Sequence, residues 1–284
     1  MRGILLFLTM FAAFFASRAN ADCRVSLKER AADLPTYVSN GQACLQHIPN
    51  GFSFDESMEI MFRDRINETR TAHGLAPLKF RKELRNAARW HSLDMAANNF
   101  FNHKGLDASM PKDRITALDR TLLTSLLLEN IASINGDFDW DTVVDRLHTG
   151  LMNSPSHRDA ILQKDVTHFA MGVVKTDNGV WLTELFVRED GSFERPVPLR
   201  IEAGSLVNQP ARLKDWRFKA LALQASDEPV DLPTVSDFTA SVPSEILGKL
   251  TFTVRGERPG PRPNTRSYMY FHGPTVVVVP AHSS

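Results

Sequence analysis

Residues 84–96 read LRNAARWHSLDMA, and their spacing predicts a helix packed along one face. Leu84, Ala87, Ala88, His91 and Met95 fall at i, i+3, i+4, i+7 and i+11, which is the repeat of an apolar helical face. His91 lies on that face, so we interpret it as a packed, hydrogen-bonded core histidine rather than a ligand.

Helical and extended patterns follow one another outward from this stretch. Ser53 and Glu56 fit a capping box, with Ser53 as the N-cap of a helix that ends near Ala72. Further helices are predicted over 139–152 and 157–162, and strands over 167–175 and 180–187. The turn residues Asp177-Asn178-Gly179 join the two strands as a hairpin. The predicted helices come first along the chain and the predicted hairpin comes late, which is the order expected of an α+β fold.

The composition of the chain changes after Phe193, where prolines separate short apolar runs. Strands are predicted over 216–223, 250–254 and 275–279, the middle one by strict alternation. We therefore predict a small β-rich domain over 195–284. A long extension that wraps the preceding domain is the alternative.

The first 21 residues have the pattern of a secretory signal peptide. Arg2 is followed by an apolar run over 4–15 and by Ala19-Asn20-Ala21, a small-x-small cleavage site. Cleavage after Ala21 leaves a mature chain without a transmembrane segment, secreted or periplasmic, and an uncleaved anchor is the alternative. Asp22 before Cys23 argues against a lipoprotein. The chain has 33 basic and 33 acidic residues, which gives no support to nucleic-acid binding.

Cys23 and Cys44 are the only two cysteines of the chain. An even number in an exported protein predicts a disulfide, and two unpaired thiols are the alternative. We interpret residues 22–52, which contain several prolines and glycines, as an N-terminal arm held by this bridge.

Three residues on separated segments carry the candidate chemistry: His103, Glu129 and His157. Two imidazoles and a carboxylate are what a divalent-metal site or an acid/base cleft requires. His168, at the start of a predicted strand, is interpreted as a core histidine.

Several motifs, in their order along the chain, resemble the bacterial branch of the CAP superfamily. These are SCP-like domains related to cysteine-rich secretory proteins, antigen 5 and pathogenesis-related 1 proteins. The motifs are LAPL at 75–78, AARWHSLDMA at 87–96, the settings of the three candidate residues, and THFAMGV at 167–173. The resemblance covers about 52–190 and implies an α-β-α sandwich, which we assign to residues 53–193.

In this family the positions of His103, Glu129 and His157 line a central cleft, and some members bind a divalent cation there. The resemblance therefore implies a site for zinc or another divalent cation. Eukaryotic members add a second glutamate near a tryptophan before the second histidine, where this chain has Leu151-Met152-Asn153. Glu184 stands where relatives often show glutamine, and we do not assign it to the cleft.

The function expected from these features is non-enzymatic. The leading interpretation is an exported module that binds a ligand, a lipid or a cell-envelope component, with a weak divalent-metal cleft. A metal-assisted hydrolase using the same cleft is the first alternative, although the chain has no Gly-x-Ser-x-Gly or His-Glu-x-x-His motif. A structural or adhesion protein acting through the C-terminal domain is the second.

Overall fold

The computed structural model describes residue 23 and residues 33–225 and 228–281. The predicted signal peptide, residues 1–21, lies outside the described residues. The N-terminal arm is more regular than its turn-rich composition indicates, because helix α1 (Leu34–Gln46) occupies much of it. Asp33 caps this helix by accepting a hydrogen bond from the Thr36 amide, and Pro35 suits its first turn.

Helices and strands alternate through the CAP-like part. The remaining helices are α2 (Glu56–Ala72), α3 (Lys82–Ala97), α4 (Pro111–Leu118), α5 (Val143–Asn153) and α6 (Pro155–Ile161), with a 3₁₀ turn at Trp140–Thr142. The strands are β1 (Ser53–Phe54), β2 (Lys79–Phe80), β3 (Leu122–Asn135), β4 (His168–Thr176) and β5 (Gly179–Phe193). Long β3 was not predicted, because its leucine run lacks the alternation of a half-buried strand.

Two helical layers cover the sheet on its opposite faces. The apolar face of α3 packs with Ile115 of α4 against Ala170, Leu185 and Val187 of the sheet. Helices α2, α5 and α6 pack against the other face around Phe169 and Phe186. The predicted α-β-α sandwich is therefore confirmed, and the predicted face of α3 is the one that is buried.

The start of α2 differs from the capping box that the sequence predicts. Ser53 lies in β1, paired with Lys175 of β4, so it is held by the sheet and does not cap the helix. Asp55 is the N-cap, and its Oδ1 accepts a hydrogen bond from the Met58 amide at 2.9 Å. The prediction of Ser53 as the cap was wrong because Asp55 fits the same role two residues later.

Most strands of the C-terminal region continue the same sheet, and three others form a small separate sheet. The region contains β6 (Arg200–Glu202), β7 (Leu206–Asn208), β8 (Ala211–Leu213), β9 (Arg217–Gln224), β10 (Pro229–Asp231), β11 (Thr234–Ser236), β12 (Thr239–Ser241), β13 (Gly248–Pro259) and β14 (Arg266–Val279). The main path of the large sheet runs β1-β4-β5-β3-β14-β13-β9-β10. Apolar side chains after Phe193 form a core cluster that Leu123 joins from β3. The region is β-rich as predicted, and the domain boundary near 195 stays a prediction.

A disulfide joins Cys23 to Cys44, as the cysteine count predicts. Cys44 is fully buried on α1, so the bridge anchors residue 23 to the helical layer. Within the described ranges, no helix combines the length and the apolar character needed to span a membrane.

Helix α3 lies very close to the sheet at Gly172 of β4. A Cβ atom there would lie 2.1 Å from the Arg89 amide nitrogen, which is backbone and cannot rotate away. Ser92 Oγ donates a hydrogen bond to the Gly172 carbonyl at 2.8 Å, which fixes the same contact.

We expect Gly172→Ala to lower the free energy of unfolding by about 3 kcal/mol or more, because α3 must move off the sheet. Gly150→Ala on α5 is the matched control, since a Cβ there meets nothing within 4 Å. That control should raise stability by about 0.5–1 kcal/mol through helix propensity. Urea denaturation of both variants measures the difference, and a Gly172→Ala protein as stable as wild type would refute this packing.

Candidate functional site

The candidate site lies along the free edge of β3. This strand pairs with β5 along its length, from Leu122↔Ser192 to Asn135↔Gly179. Its other edge meets β14 at the single pair Thr124↔His272. Beyond Thr124, no strand in the described part of the chain pairs with this edge. Side chains at neighbouring positions of a strand point to opposite faces, so this edge is approached from both helical layers.

Glu129 of β3 points to the α3–α4 face and forms the centre of the site. Its side chain is 2% exposed, and its Oε2 accepts a hydrogen bond from Arg114 Nη2 at 2.8 Å. Its Oε1 lies 2.9 Å from His103 Nδ1. A carboxylate bound to an arginine only accepts, so Nδ1 of His103 is the donor and Nε2 is left without a proton in the neutral ring. The His103 side chain is 43% exposed.

Arg114 of α4 neutralises Glu129, and sequence reasoning missed it. Its side chain is 2% exposed, like that of its partner. It also donates to the Ser109 and His103 carbonyls, each at 2.9 Å, so it holds the loop that carries His103. A buried carboxylate predicts a cation nearby, but nothing in the spacing of the chain identifies which arginine supplies it.

The two histidines interpreted as core residues are buried, as predicted. His91 is fully buried, and its Nε2 donates to the Asn102 carbonyl at 3.0 Å. That hydrogen bond supports the turn just before His103, and the same nitrogen lies 3.9 Å from Glu129 Oε1. His168 lies on β4, and its Nδ1 is 2.9 Å from Thr167 Oγ1.

His157 reaches the same edge from the opposite layer. It lies on α6, and its carbonyl accepts a hydrogen bond from Asn130 Nδ2 at 3.1 Å. Burial lowers the pKa of His157, and the charge of His103 lowers it further. The structure therefore joins His103 directly to Glu129, and it ties the main chain of His157 to the next residue of β3, Asn130.

Glu184 lies behind the site rather than in it. It pairs with Asn130 across β3 and β5, and its side chain is completely buried. Asn130 Nδ2 donates to its Oε2 at 3.2 Å, whereas Oε1 has no hydrogen-bond partner among the described residues. Burial raises the pKa of Glu184 to about 7, and the hydrogen bond from Asn130 opposes this only in part. Asn130 thus links a buried carboxyl group to the main chain of His157.

The fit of a metal ion depends on which ligand atoms remain available. Both oxygens of Glu129 are engaged, by His103 and by Arg114. Within the described ranges, no three His, Cys, Asp or Glu side chains form a group that could hold a metal ion. Where eukaryotic relatives add a glutamate, Leu151 is buried in the core. The donor atoms left for a cation at this edge are imidazole nitrogens of His103 and His157, with Glu129 behind His103. The predicted three-ligand set stays a prediction.

We expect Arg114→Met to lower the free energy of unfolding by about 3–5 kcal/mol, because it leaves the Glu129 carboxylate buried without its cation. Arg65→Met is the control, since its ion pair with Asp145 is exposed and should cost under about 1 kcal/mol. Chemical denaturation at neutral pH compares them. If both variants lost the same free energy of unfolding, burial of the Arg114–Glu129 pair would have no special energetic role.

Glu184 should make stability depend on pH. Its pKa rises from 4.5 to about 7 on folding, so between these values the folded state binds more protons than the unfolded chain. The contribution of Glu184 to the free energy of unfolding is fully present below pH 4.5. It falls by about 3 kcal/mol as the pH rises through about 7.

Glu184→Gln removes this dependence on pH. The free energy of unfolding of the variant, relative to that of wild type, should therefore rise by about 3 kcal/mol between pH 4.5 and pH 8. Glu68→Gln, at a carboxylate that is 69% exposed, is the control and should show no such trend. Thermal or urea melts across this pH range measure both. Parallel curves for wild type and Glu184→Gln would contradict a buried, neutral Glu184.

Comparison with known proteins finds a family match for part of the chain. The model of the cysteine-rich secretory protein family, CAP, matches residues 63–186. The uncharacterized membrane protein YlbC of Bacillus subtilis is 34% identical over 110 residues, which are 39% of this chain and 30% of YlbC. The uncharacterized protein YkwD of the same organism is 32% identical over 121 residues, which are 43% of each chain. The match thus spans less than half the length of these relatives.

Solved structures with some similarity include an outer surface protein from Borrelia burgdorferi, which is 24% identical with a TM-score of 0.42. The alignment covers 48% of this chain and 98% of that one. An extracellular protein containing a SCP domain from Bacillus anthracis is 27% identical with a TM-score of 0.40, over 47% of this chain and 41% of that one. The family model and the sequence relatives confirm the resemblance seen in the motifs. Residues 63–186 therefore match the CAP family, as the motifs indicate.

Proposed function

We propose that the CAP domain is an exported binding module whose cleft holds a divalent cation weakly. In this proposal Nε2 of His103 and the imidazole of His157 bind zinc or a similar cation. The remaining coordination positions are open to water or to a ligand. The signal pattern at residues 1–21 and the Cys23–Cys44 disulfide support an extracytoplasmic location, because disulfides persist in oxidising compartments.

The single observation that carries the proposal is the hydrogen bond from His103 Nδ1 to Glu129 Oε1, at 2.9 Å. A carboxylate behind a histidine fixes its tautomer and its orientation and makes the other nitrogen a better ligand. His157 supports the same idea, because burial lowers its pKa and keeps its imidazole neutral and able to bind metal at neutral pH. Two protein ligands make a weaker site than the three or four of typical zinc proteins.

The module is expected to bind rather than to turn over a substrate. Both carboxylate oxygens of Glu129 accept hydrogen bonds from groups that hold His103 and its loop, which gives Glu129 an orienting role in this proposal. The hydrolase alternative uses the same two imidazoles on a metal-bound water. It predicts a consumed substrate and lost turnover in the cleft variants, whereas the binding module predicts a change in metal or ligand affinity alone.

Zinc titration by calorimetry tests the cleft. We expect wild type to bind one zinc ion that the His103→Ala/His157→Ala variant binds at least about tenfold more weakly. Glu129→Gln should weaken binding by about 10- to 100-fold, because the amide is a poorer partner for His103.

His47→Ala/His73→Ala is the matched control, since it removes two exposed imidazoles away from the cleft. It should bind zinc as wild type does. Equal zinc uptake by wild type and by the cleft double variant would refute the proposed site.

A further inference from the structure

The β13–β14 hairpin extends past the edge of the sheet in the C-terminal region. Strand β9 pairs with β13 as far as Glu257↔Arg217. The hairpin continues for two more pairs, Arg258↔Ser267 and Pro259↔Arg266, before its turn. Its end is thus two-stranded and open to solvent on both faces.

This end of the hairpin concentrates positive charge. The sixteen residues from 255 to 270 contain four arginines and one glutamate, in a chain whose formal net charge is 0. The neighbouring carboxylates are already used: Glu257 pairs with Arg217 at 2.6 Å, and Asp231 pairs with Arg255 at 2.8 Å.

Three arginines are left without an acidic partner. Arg258, Arg262 and Arg266 are exposed, and none forms an ion pair with any described residue. Arg258 lies over the Trp216 ring, 4.2 Å from its centroid, so its charge is held in place by an aromatic contact.

Large apolar side chains accompany these arginines on both faces of the hairpin. Tyr268 lies opposite Glu257 and is 52% exposed, whereas Met269 lies opposite Gly256 and is 39% exposed. Tyr268 combines an apolar ring with a polar hydroxyl, which suits the boundary between lipid headgroups and acyl chains, and Met269 adds an apolar side chain beside it.

The turn is preorganised. Pro259, Pro261 and Pro263 restrict its backbone. The Gly260 amide donates to the Thr265 carbonyl at 2.9 Å, and the Thr265 amide donates to the Arg262 carbonyl at 3.2 Å. Little conformational entropy is then lost when the turn meets a partner.

We propose that the end of the β13–β14 hairpin docks on an anionic phospholipid surface. The three unpaired arginines bind the headgroup phosphates, and Tyr268 and Met269 insert between the headgroups. The adjacent apolar side chains favour a lipid surface over a soluble polyanion, which offers the arginines charge but no apolar phase. This surface is separate from the CAP cleft, so the inference stands or falls independently of the proposed metal site.

Co-sedimentation with vesicles tests this inference. We expect the full protein to bind vesicles of phosphatidylcholine mixed with phosphatidylglycerol, but not vesicles of phosphatidylcholine alone. Binding should weaken with added salt, because phosphate contacts are screened. The variant Arg258→Gln/Arg262→Gln/Arg266→Gln should bind about 100-fold more weakly, at about fivefold per arginine.

The matched control Lys82→Gln/Arg146→Gln/Lys164→Gln removes three exposed positive charges from the CAP domain and should bind as wild type does. Tyr268→Ser/Met269→Ser should bind several-fold more weakly. An equal loss in the control variant would overturn the assignment to the hairpin, and full binding by the serine variant would overturn the lipid contact. Zinc titration of the triple arginine variant should match wild type, which separates this result from the test of the cleft.

Discussion

Glu129 is a buried carboxylate, and the arrangement around the cleft follows from the need to neutralise it. Arg114 does so from the neighbouring helix at 2.8 Å, with both side chains 2% exposed. An unpaired charge buried this deeply would lower the free energy of unfolding by several kcal/mol. Helix α4 and strand β3 must therefore keep the relative position that pairs Arg114 with Glu129. The same guanidinium holds the His103 carbonyl, and the same carboxylate holds the His103 ring. One ion pair therefore fixes a loop, a ring orientation and a tautomer.

The free edge of β3 explains why two histidine segments so far apart in sequence are held by the same strand. Glu129 and Asn130 are consecutive and point to opposite faces, so each holds one histidine segment. Glu129 fixes the His103 ring, and Asn130 holds the His157 carbonyl at 3.1 Å. The sheet that provides this edge also carries the cationic hairpin, because β14 joins β3 at Thr124. A single sheet thus presents two separate surfaces with different chemistry.

Residue patterns predicted the parts of the fold that depend on periodicity and local turns. The face of α3, the β4–β5 hairpin and three C-terminal strands, β9, β13 and β14, were visible in this way. The patterns failed where contacts are non-local. Nothing local to Glu129 indicates Arg114, and the leucine run before it does not show that β3 is a strand. Ser53 and Asp55 are both residue types that cap helices, so the sequence alone does not show which of them caps α2. The pairing of Ser53 with β4 leaves Asp55 as the cap. The three site residues came from their motifs, whereas their partners required the tertiary structure.

The hydrogen bond from His103 to Glu129 is the central claim, and the tautomer of His103 tests it most directly. Long-range proton–nitrogen correlation spectra of the imidazole rings, recorded where His103 is neutral, distinguish the two tautomers. The account predicts the proton on Nδ1 of His103, with Nε2 free toward the cleft. It also predicts that Glu129→Leu, which cannot accept this bond, shifts the ring toward the Nε2–H form. A wild-type His103 that carries its proton on Nε2 would contradict the account.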